Sequence, residues 1–304
     1  MPDAPAISIQ GVTKCFGDVT AVDNLDLEVP QGSLIGFLGP NGAGKSTTIR
    51  MIMSIIYPDH GKVSVLGRTA LDAKDQIGYL PEERGLYRRM RVRAFLRYVG
   101  RLKGMDPSDA DHAASSWLEL LELPEALGRR CEELSKGQQQ KIQFVATILH
   151  DPKLIVLDEP FSGLDPINAA LISNVIERLH KEGRTIVFST HVLHQAEQLC
   201  DRIFLINQGI KLLDDDIETI RSRYRQHIVV VERDCTGDLN HIEGTRVALD
   251  TDDPRRVELH VDEHVDLRHI MRQAIEWPEV KSVSIRQPLL EDIFGQLVGS
   301  EAMS

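Results

Sequence analysis

The run Gly39-Pro40-Asn41-Gly42-Ala43-Gly44-Lys45-Ser46, continued by Thr47 and Thr48, constrains this chain more than any other feature. It satisfies the G-x-x-x-x-G-K-[ST] pattern, which works only between a strand and a helix. Ser33 to Leu38 is an apolar run suited to a buried parallel strand. Lys45 to Ile56 reads as the helix, stopped by the turn signal Tyr57-Pro58-Asp59-His60-Gly61. The chain is therefore expected to be α/β. Glycines in the loop let successive N–H groups turn inward around a β-phosphate, Lys45 reaches the terminal phosphates, and the Ser46 hydroxyl is placed to hold Mg²⁺. The ligand implied is a nucleotide, with many NTPase classes still open.

A second constellation narrows the choice. Lys153 to Leu157 is another short apolar run, and it ends in Asp158 and Glu159, as a buried strand should when its carboxyl end faces a nucleotide. Asp158 is then the Mg²⁺ partner and Glu159 the residue beside the attacking water. The plain alternative is a buried strand capped by acids at a helix start; the phosphate loop upstream decides against it. Loss of a γ-phosphate needs neutralised charge and an in-line water more than covalent help. Lys45 and Mg²⁺ suit the first need and Glu159 the second. The β-branched run Thr185-Ile186-Val187-Phe188 leads into Ser189-Thr190-His191, where an imidazole can bond the γ-phosphate or hold Glu159 and the water.

With Leu134-Ser135-Lys136-Gly137-Gln138 lying between the two constellations, the order and spacing resemble the ATP-binding cassette (ABC) family from about Ile7 to Asp216. Leu134 to Gln138 is similar to that family's L-S-G-G-Q signature, Ser162-Gly163-Leu164-Asp165 to its D-loop, and His191 to its switch histidine. Gly78-Tyr79-Leu80-Pro81-Glu82 stands in the place of the Q-loop and Phe16 in that of the adenine-stacking aromatic. The resemblance implies a P-loop fold with a mixed-sheet core and a helical subdomain at about 84–130. It implies ATP and Mg²⁺ as cofactors, with Glu159, His191 and Lys45 catalytic and Ser46, Asp158 and Glu82 around the metal. Phe16, the loop from Gly39 to Thr47, Glu82, and Ser135, Gly137 and Gln138 would contact nucleotide. In the family the signature faces the γ-phosphate held by a second subunit. With one phosphate loop and one signature, this chain is expected to work as a head-to-tail pair, with itself or a paralogue. Ser135 and Gly137 are read as preceding a helix over Gln138 to Leu149, whose N-terminus offers free N–H donors.

Two residues depart from the family pattern. Lys136 replaces the first signature glycine, adding a cation or merely facing solvent. Glu82 replaces a glutamine, exchanging an amide that donates for a carboxylate that only accepts. Metal ligation survives that exchange; a donor role toward phosphate or water does not. Phe16 stacks adenine in one reading and fills a sheet edge in the other. Tyr87-Arg88-Arg89 falls where the family meets its membrane partner, though a charge run is commonly just solvated.

The 304 residues suffice for more than one domain, and 35 Lys plus Arg against 46 Asp plus Glu give a net charge of −11. That balance argues against a general nucleic-acid binder and offers no polybasic membrane anchor. Cys15, Cys131, Cys200 and Cys235 lack C-x-x-C spacing and read as reduced thiols. No apolar stretch approaches the roughly 18 residues of a membrane helix, and no basic-then-apolar leader opens the chain. For such a chain the ABC resemblance implies a transmembrane permease subunit as partner and a place on the cytoplasmic face of the membrane.

Beyond Asp214-Asp215-Asp216 the nucleotide motifs end, but folded patterning continues. His227 to Glu232, Thr245 to Leu249, Arg256 to Val261 and Val280 to Arg286 read as strands; Leu267, Ile270, Met271, Ala274 and Ile275 mark one face of a helix before Trp277-Pro278. A small accessory α/β domain is expected over Ser222 to Ser304, behind a nucleotide-binding domain from Met1 to Arg221. Pro288 to Phe294 resembles the end of the C-terminal extension on ATPase subunits of bacterial sodium and drug exporters. His260, His264 and His269, interleaved with Asp262, Glu263 and Asp266, suggest either a metal site or exposed polar residues. The function implied is an energy-coupling subunit of an ABC exporter. The alternatives are a soluble ABC ATPase on ribosome or DNA, which usually carries two cassettes or a coiled-coil insertion, and a non-catalytic nucleotide sensor, which would not need Lys45, Asp158, Glu159 and His191 together.

Overall fold

Polar and apolar residues alternate along β1 (Ile7–Phe16) and β2 (Val19–Val29), burying Ile7, Ile9, Val12, Leu25 and Leu27 on one face. The five residues of β3 (Leu34–Leu38) are all buried, as a central parallel strand requires. There follow α1 (Lys45–Ile52), β4 (His60–Val65), β5 (Ile77–Leu80), α2 (Val92–Leu102), α3 (Pro107–Leu120), α4 (Lys136–Ile148), β6 (Leu154–Asp158), α5 (Pro166–Lys181), β7 (Thr185–Thr190), α6 (Leu193–Leu199), β8 (Arg202–Asn207) and β9 (Ile210–Asp216). This computed structural model describes residues 4–83, 85–223, 227–234, 242–249, 253, 255–262 and 264–301. Contacts divide the chain into two compact units, Met1–Asp215 and Asp216–Ser304, a boundary slightly ahead of the Arg221/Ser222 division read from the sequence.

In the first unit β1 sits between β2 and β4 in an antiparallel sheet, while a six-stranded sheet runs in the order β5-β6-β7-β3-β8-β9. The pairs β5–β6, β6–β7, β7–β3 and β3–β8 are parallel. Between the two sheets lies a core that includes Ile9, Val12, Leu27, Phe37, Ile49, Ile52 and Phe204, with Phe37 and Phe204 stacked at 4.8 Å between ring centroids. The register pairs Leu38 with Thr190 and Asp158 with Ser189, so the carboxyl ends of β3, β6 and β7 finish level. The loops that leave these three ends therefore meet at one edge of the sheet.

Local endings differ from the sequence reading in instructive places. The helix expected to reach Ile56 stops at Ile52, because Ser54 turns left-handed at φ 55° and the N–H of Ile55 returns to the carbonyl of Arg50 at 2.9 Å. No glycine or proline marks that stop. The helix expected from Gln138 begins at Lys136, so Gly137 lies inside it and Ser135 is its cap. β1 runs on past Gly11 through a register shift between Gln10 and Thr13.

The second unit holds α7 (Ile217–Arg223), β10 (Ile228–Arg233), β11 (Thr245–Leu249), β12 (Arg256–Val261), α8 (Leu267–Ile275), β13 (Val280–Arg286) and α9 (Leu290–Glu301). Its antiparallel sheet has the order β11-β12-β10-β13. Ile270, Ala274 and Trp277 pack with Val229, Val231 and Leu259, whereas Ile275, expected on the same face, remains 59% exposed. Arg286 bonds Glu258 and Asp292 together, with Nη1 2.6 Å from Asp292 Oδ2. Burial alone would raise the Asp292 carboxyl, but this guanidinium holds it below its ordinary range. Glu258, His260 and Asp292 lie close enough to hold a cation, but Arg256 and Arg286 already neutralise the carboxylates. No metal group is formed among the described residues by His264, His269, Asp262 and Asp266; Glu263 and Cys235 lie outside those residues. Cys131 and Cys200 are buried free thiols, pushed up in pKa by that burial, and Cys15 is an exposed one.

Candidate nucleotide site

The loop after β3 has a backbone that only glycine tolerates at two points. At Gly39, φ is 154° and a Cβ would lie 2.2 Å from the Ile206 carbonyl oxygen; at Gly44, φ is 105° and a Cβ would lie 2.6 Å from that of Ala21. The side chain of Lys45, the first residue of α1, folds back over the loop and donates to the carbonyls of Gly39 at 2.7 Å and Pro40 at 3.1 Å. Burial lowers the Lys45 pKa, and Glu159, Asp158 and Glu82 oppose that shift. A cation held among three carboxylates beside a row of N–H groups suits a polyanionic phosphate chain.

A cleft of about 300 Å³ opens there, lined by Ala21, Asn41, Gly42, Gly44, Lys45, Ser46, Thr47, Glu82 and Glu159. Ser46 Oγ donates to Asp158 Oδ1 at 3.4 Å. Ser46, Asp158 and Glu82 together supply hard oxygen donors, the set that fits Mg²⁺. Glu159 follows the end of β6 with φ 51°, a left-handed conformation that costs a non-glycine residue about 1–3 kcal/mol and persists only where surroundings enforce it. Its N–H donates to the Ser189 carbonyl at 3.2 Å and to Ser189 Oγ at 3.1 Å. His191 Nδ1 lies 2.9 Å from Glu159 Oε1; an ionised carboxylate only accepts, so Nδ1 carries the proton.

Other expected residues stand apart from the cleft. Phe16 is 52% exposed at the end of β1, with Lys14 Nζ 5.5 Å from its ring centre. Ser135 caps α4 through a reciprocal pair, accepting from the Gln138 N–H at 3.3 Å while Gln138 Oε1 accepts from the Ser135 N–H at 3.1 Å. Ser135, Gly137 and Gln138 are not part of the cleft lining, and Lys136 and Ser135 are exposed. Asp165 caps α5, accepting from the Asn168 N–H at 3.0 Å. Ala21 and Ser189 are the contributors that sequence reasoning did not single out. Ala21 carries no signal of its own, whereas Ser189 sits inside a tripeptide already picked out for its histidine.

Residues 22–162 match the family described as ABC transporter, and residues 216–298 match the C-terminal domain of DrrA1-3-like ATP-binding proteins. The ABC transporter ATP-binding protein YhaQ of Bacillus subtilis is 38% identical over 97% of this chain and 99% of its own length. The Nod factor export ATP-binding protein I of a Rhizobium species is 33% identical over 97% of this chain and 98% of its own length. A solved ATP-binding subunit of an ABC transporter superposes with a TM-score of 0.68 at 27% identity, covering 72% of this chain and 93% of that one. The chain belongs to the ATP-binding proteins of ABC transporters. It is an ATP-binding, ATP-hydrolysing subunit that powers a membrane transporter, and such subunits act with transmembrane components. Among the described residues no helix is long and apolar enough to cross a membrane.

Proposed function

We propose that this chain drives an exporter from the cytoplasmic face of the membrane, as one half of a head-to-tail pair in which each nucleotide lies between the phosphate loop of one subunit and the signature of the other. The observation that carries the reading is the His191–Glu159 contact at 2.9 Å beside the Lys45 cleft, while Ser135 stands exposed and Gly137 half-buried outside it. A site with its phosphate cradle and base in one place and its signature elsewhere is completed by a second copy or a paralogue. Export is supported by the likeness to the Rhizobium protein over nearly the whole chain.

In this reading Lys45 and the loop N–H groups from Gly39 to Thr47 hold the phosphates, and Phe16 meets the adenine. Ser46, Asp158 and Glu82 hold Mg²⁺, which neutralises phosphate charge when bound. Glu159 accepts the proton of the attacking water, and His191, through its Nδ1–H bond to Glu159, holds that carboxylate beside the γ-phosphate and the water. Ser135, Gly137 and Gln138 meet the γ-phosphate bound by the partner. A groove of about 280 Å³ whose walls include Tyr87, Phe95, Tyr98 and Leu102 offers the transmembrane partner an apolar seat. The N-terminal 221 residues, with a helical subdomain at about 84–130, form the nucleotide-binding domain and the remainder is accessory.

The test compares two carboxylates of the cleft. Glu159→Gln should keep ATP and Mg²⁺ binding while slowing hydrolysis by at least about 10²-fold. Glu82→Gln should retain substantial turnover. An inactive Glu82→Gln beside a nearly normal Glu159→Gln would reverse the two roles.

A further inference from the structure

We infer that Ser189 is a positioning residue for hydrolysis, whose hydroxyl locks the metal-holding carboxylate and the catalytic carboxylate into one arrangement. The inference rests on the roles proposed above for Asp158 and Glu159. Parallel pairing of β6 with β7 places Ser189 opposite Asp158, and pairing of β7 with β3 places it opposite Phe37, at the strand that feeds the phosphate loop. Ser189 is fully buried. A buried strand serine commonly satisfies its hydroxyl on a backbone carbonyl nearby. Here Ser189 Oγ instead donates its single proton to Asp158 Oδ1 at 2.5 Å and accepts from the Glu159 N–H at 3.1 Å.

The polarity of that chain is fixed: Glu159 N–H to Ser189 O–H to Asp158 carboxylate. Each bond orients the next, and a hydrogen bond to an ionised acceptor is stronger than a neutral one. Asp158 Oδ1 also accepts from Ser46, so one oxygen of the carboxylate gathers the phosphate loop, β6 and β7. At the other end, the Glu159 N–H is held by both the hydroxyl and the carbonyl of Ser189, which fixes the left-handed turn from which the Glu159 side chain departs. An alanine at this position would keep the carbonyl bond and the strand but release the carboxylate. A threonine would keep the hydroxyl.

The experiment uses the full chain and its Ser189→Ala, Ser189→Thr and Asp158→Ala variants. It reads steady-state ATPase kinetics, Mn²⁺ affinity by electron paramagnetic resonance in the presence of a non-hydrolysable ATP analogue, and the thermal midpoint. Loss of a hydrogen bond to a charged group predicts that Ser189→Ala lowers kcat by about tenfold or more and weakens Mn²⁺ by about fivefold or more. Its KM for ATP at saturating metal should stay within about twofold, and Ser189→Thr should recover both lost quantities to within about threefold. Should the added methyl prevent Ser189→Thr from folding, the alanine variant's Mn²⁺ affinity decides by itself. A Ser189→Ala protein with Mn²⁺ affinity and kcat within about twofold of the parent overturns the inference, as does a loss that a folded Ser189→Thr fails to recover. If Asp158→Ala turns over normally, the assignment of the metal site fails and the inference falls with it. A dead Asp158→Ala beside an unaffected Ser189→Ala refutes the role of Ser189 alone.

Discussion

Each unit of this molecule holds a charge cluster, and the two clusters are built in opposite ways. In the second, Arg286 ties Glu258 to Asp292 and Asp292 also takes the Leu289 N–H at 2.6 Å, so these three charges satisfy one another. In the first, Glu82, Asp158 and Glu159 gather around one buried cation, Lys45, and the Glu159 backbone is bent into a left-handed turn to bring them there. Charges that cancel hold an architecture together. Charges left to converge on a cleft await a ligand of their own, here a phosphate chain and its cation. The difference begins in topology: parallel strands finish level and send their loops to one edge, whereas the antiparallel sheet of the second unit sends its turns to both ends.

The largest effect that sharpens this contrast should come from Lys45→Ala. It removes a charge-assisted phosphate contact, so turnover should vanish and ATP affinity fall by about 10- to 150-fold, read by calorimetry. Normal affinity with normal phosphate release would break the nucleotide assignment. Arg286→Met should do the reverse. Breaking this largely buried ion pair should destabilise the second unit by about 2–4 kcal/mol in denaturant melts while ATPase changes less than about twofold. A loss of turnover matching that of Lys45→Ala would erase the proposed separation of roles.

The smallest effect concerns His150, near the carboxyl end of the signature helix. Burial pushes its imidazole down to about 4, with Lys103 adding to the shift; its Nε2 bonds the Ile77 carbonyl at 3.1 Å. A histidine lowered in the folded state contributes stability above its ordinary value near 6.5, lost as pH falls toward 4, because the unfolded chain takes up the proton first. The first unit should therefore weaken modestly between pH 7 and pH 5, and His150→Gln should flatten that slope. An unchanged slope in the variant would assign the pH dependence elsewhere.

How much of this was legible in the sequence follows from which forces are local. The phosphate loop, the acidic strand end and the histidine announce themselves because each needs particular residue types at fixed spacing. The strands of the second unit are readable from alternation, and Val280–Arg286 is matched residue for residue. What the sequence hides is pairing. Nothing near Ser189 says that Asp158 lies opposite it, since that depends on a parallel register between strands separated by the whole of α5. Helix ends set by a left-handed non-glycine residue, such as Ser54, escape for a related reason: the turn is enforced by packing rather than by composition. Ser135 illustrates the intermediate case, where the motif was visible but its reciprocal bonds with Gln138, which move the helix start to Lys136, were not read from it.

A site completed by a second subunit requires that ATP bring two chains together. The most direct measurement is the molar mass of Glu159→Gln in ATP and Mg²⁺, by size-exclusion chromatography with light scattering. Because ATP persists when water activation is lost, the mass should double in ATP and return to that of one chain in ADP, and adding Ser135→Arg should abolish the doubling. A Glu159→Gln protein that stays at one chain mass in ATP, while the parent's hydrolysis rate remains linear in enzyme down to monomeric concentrations, would contradict the shared site.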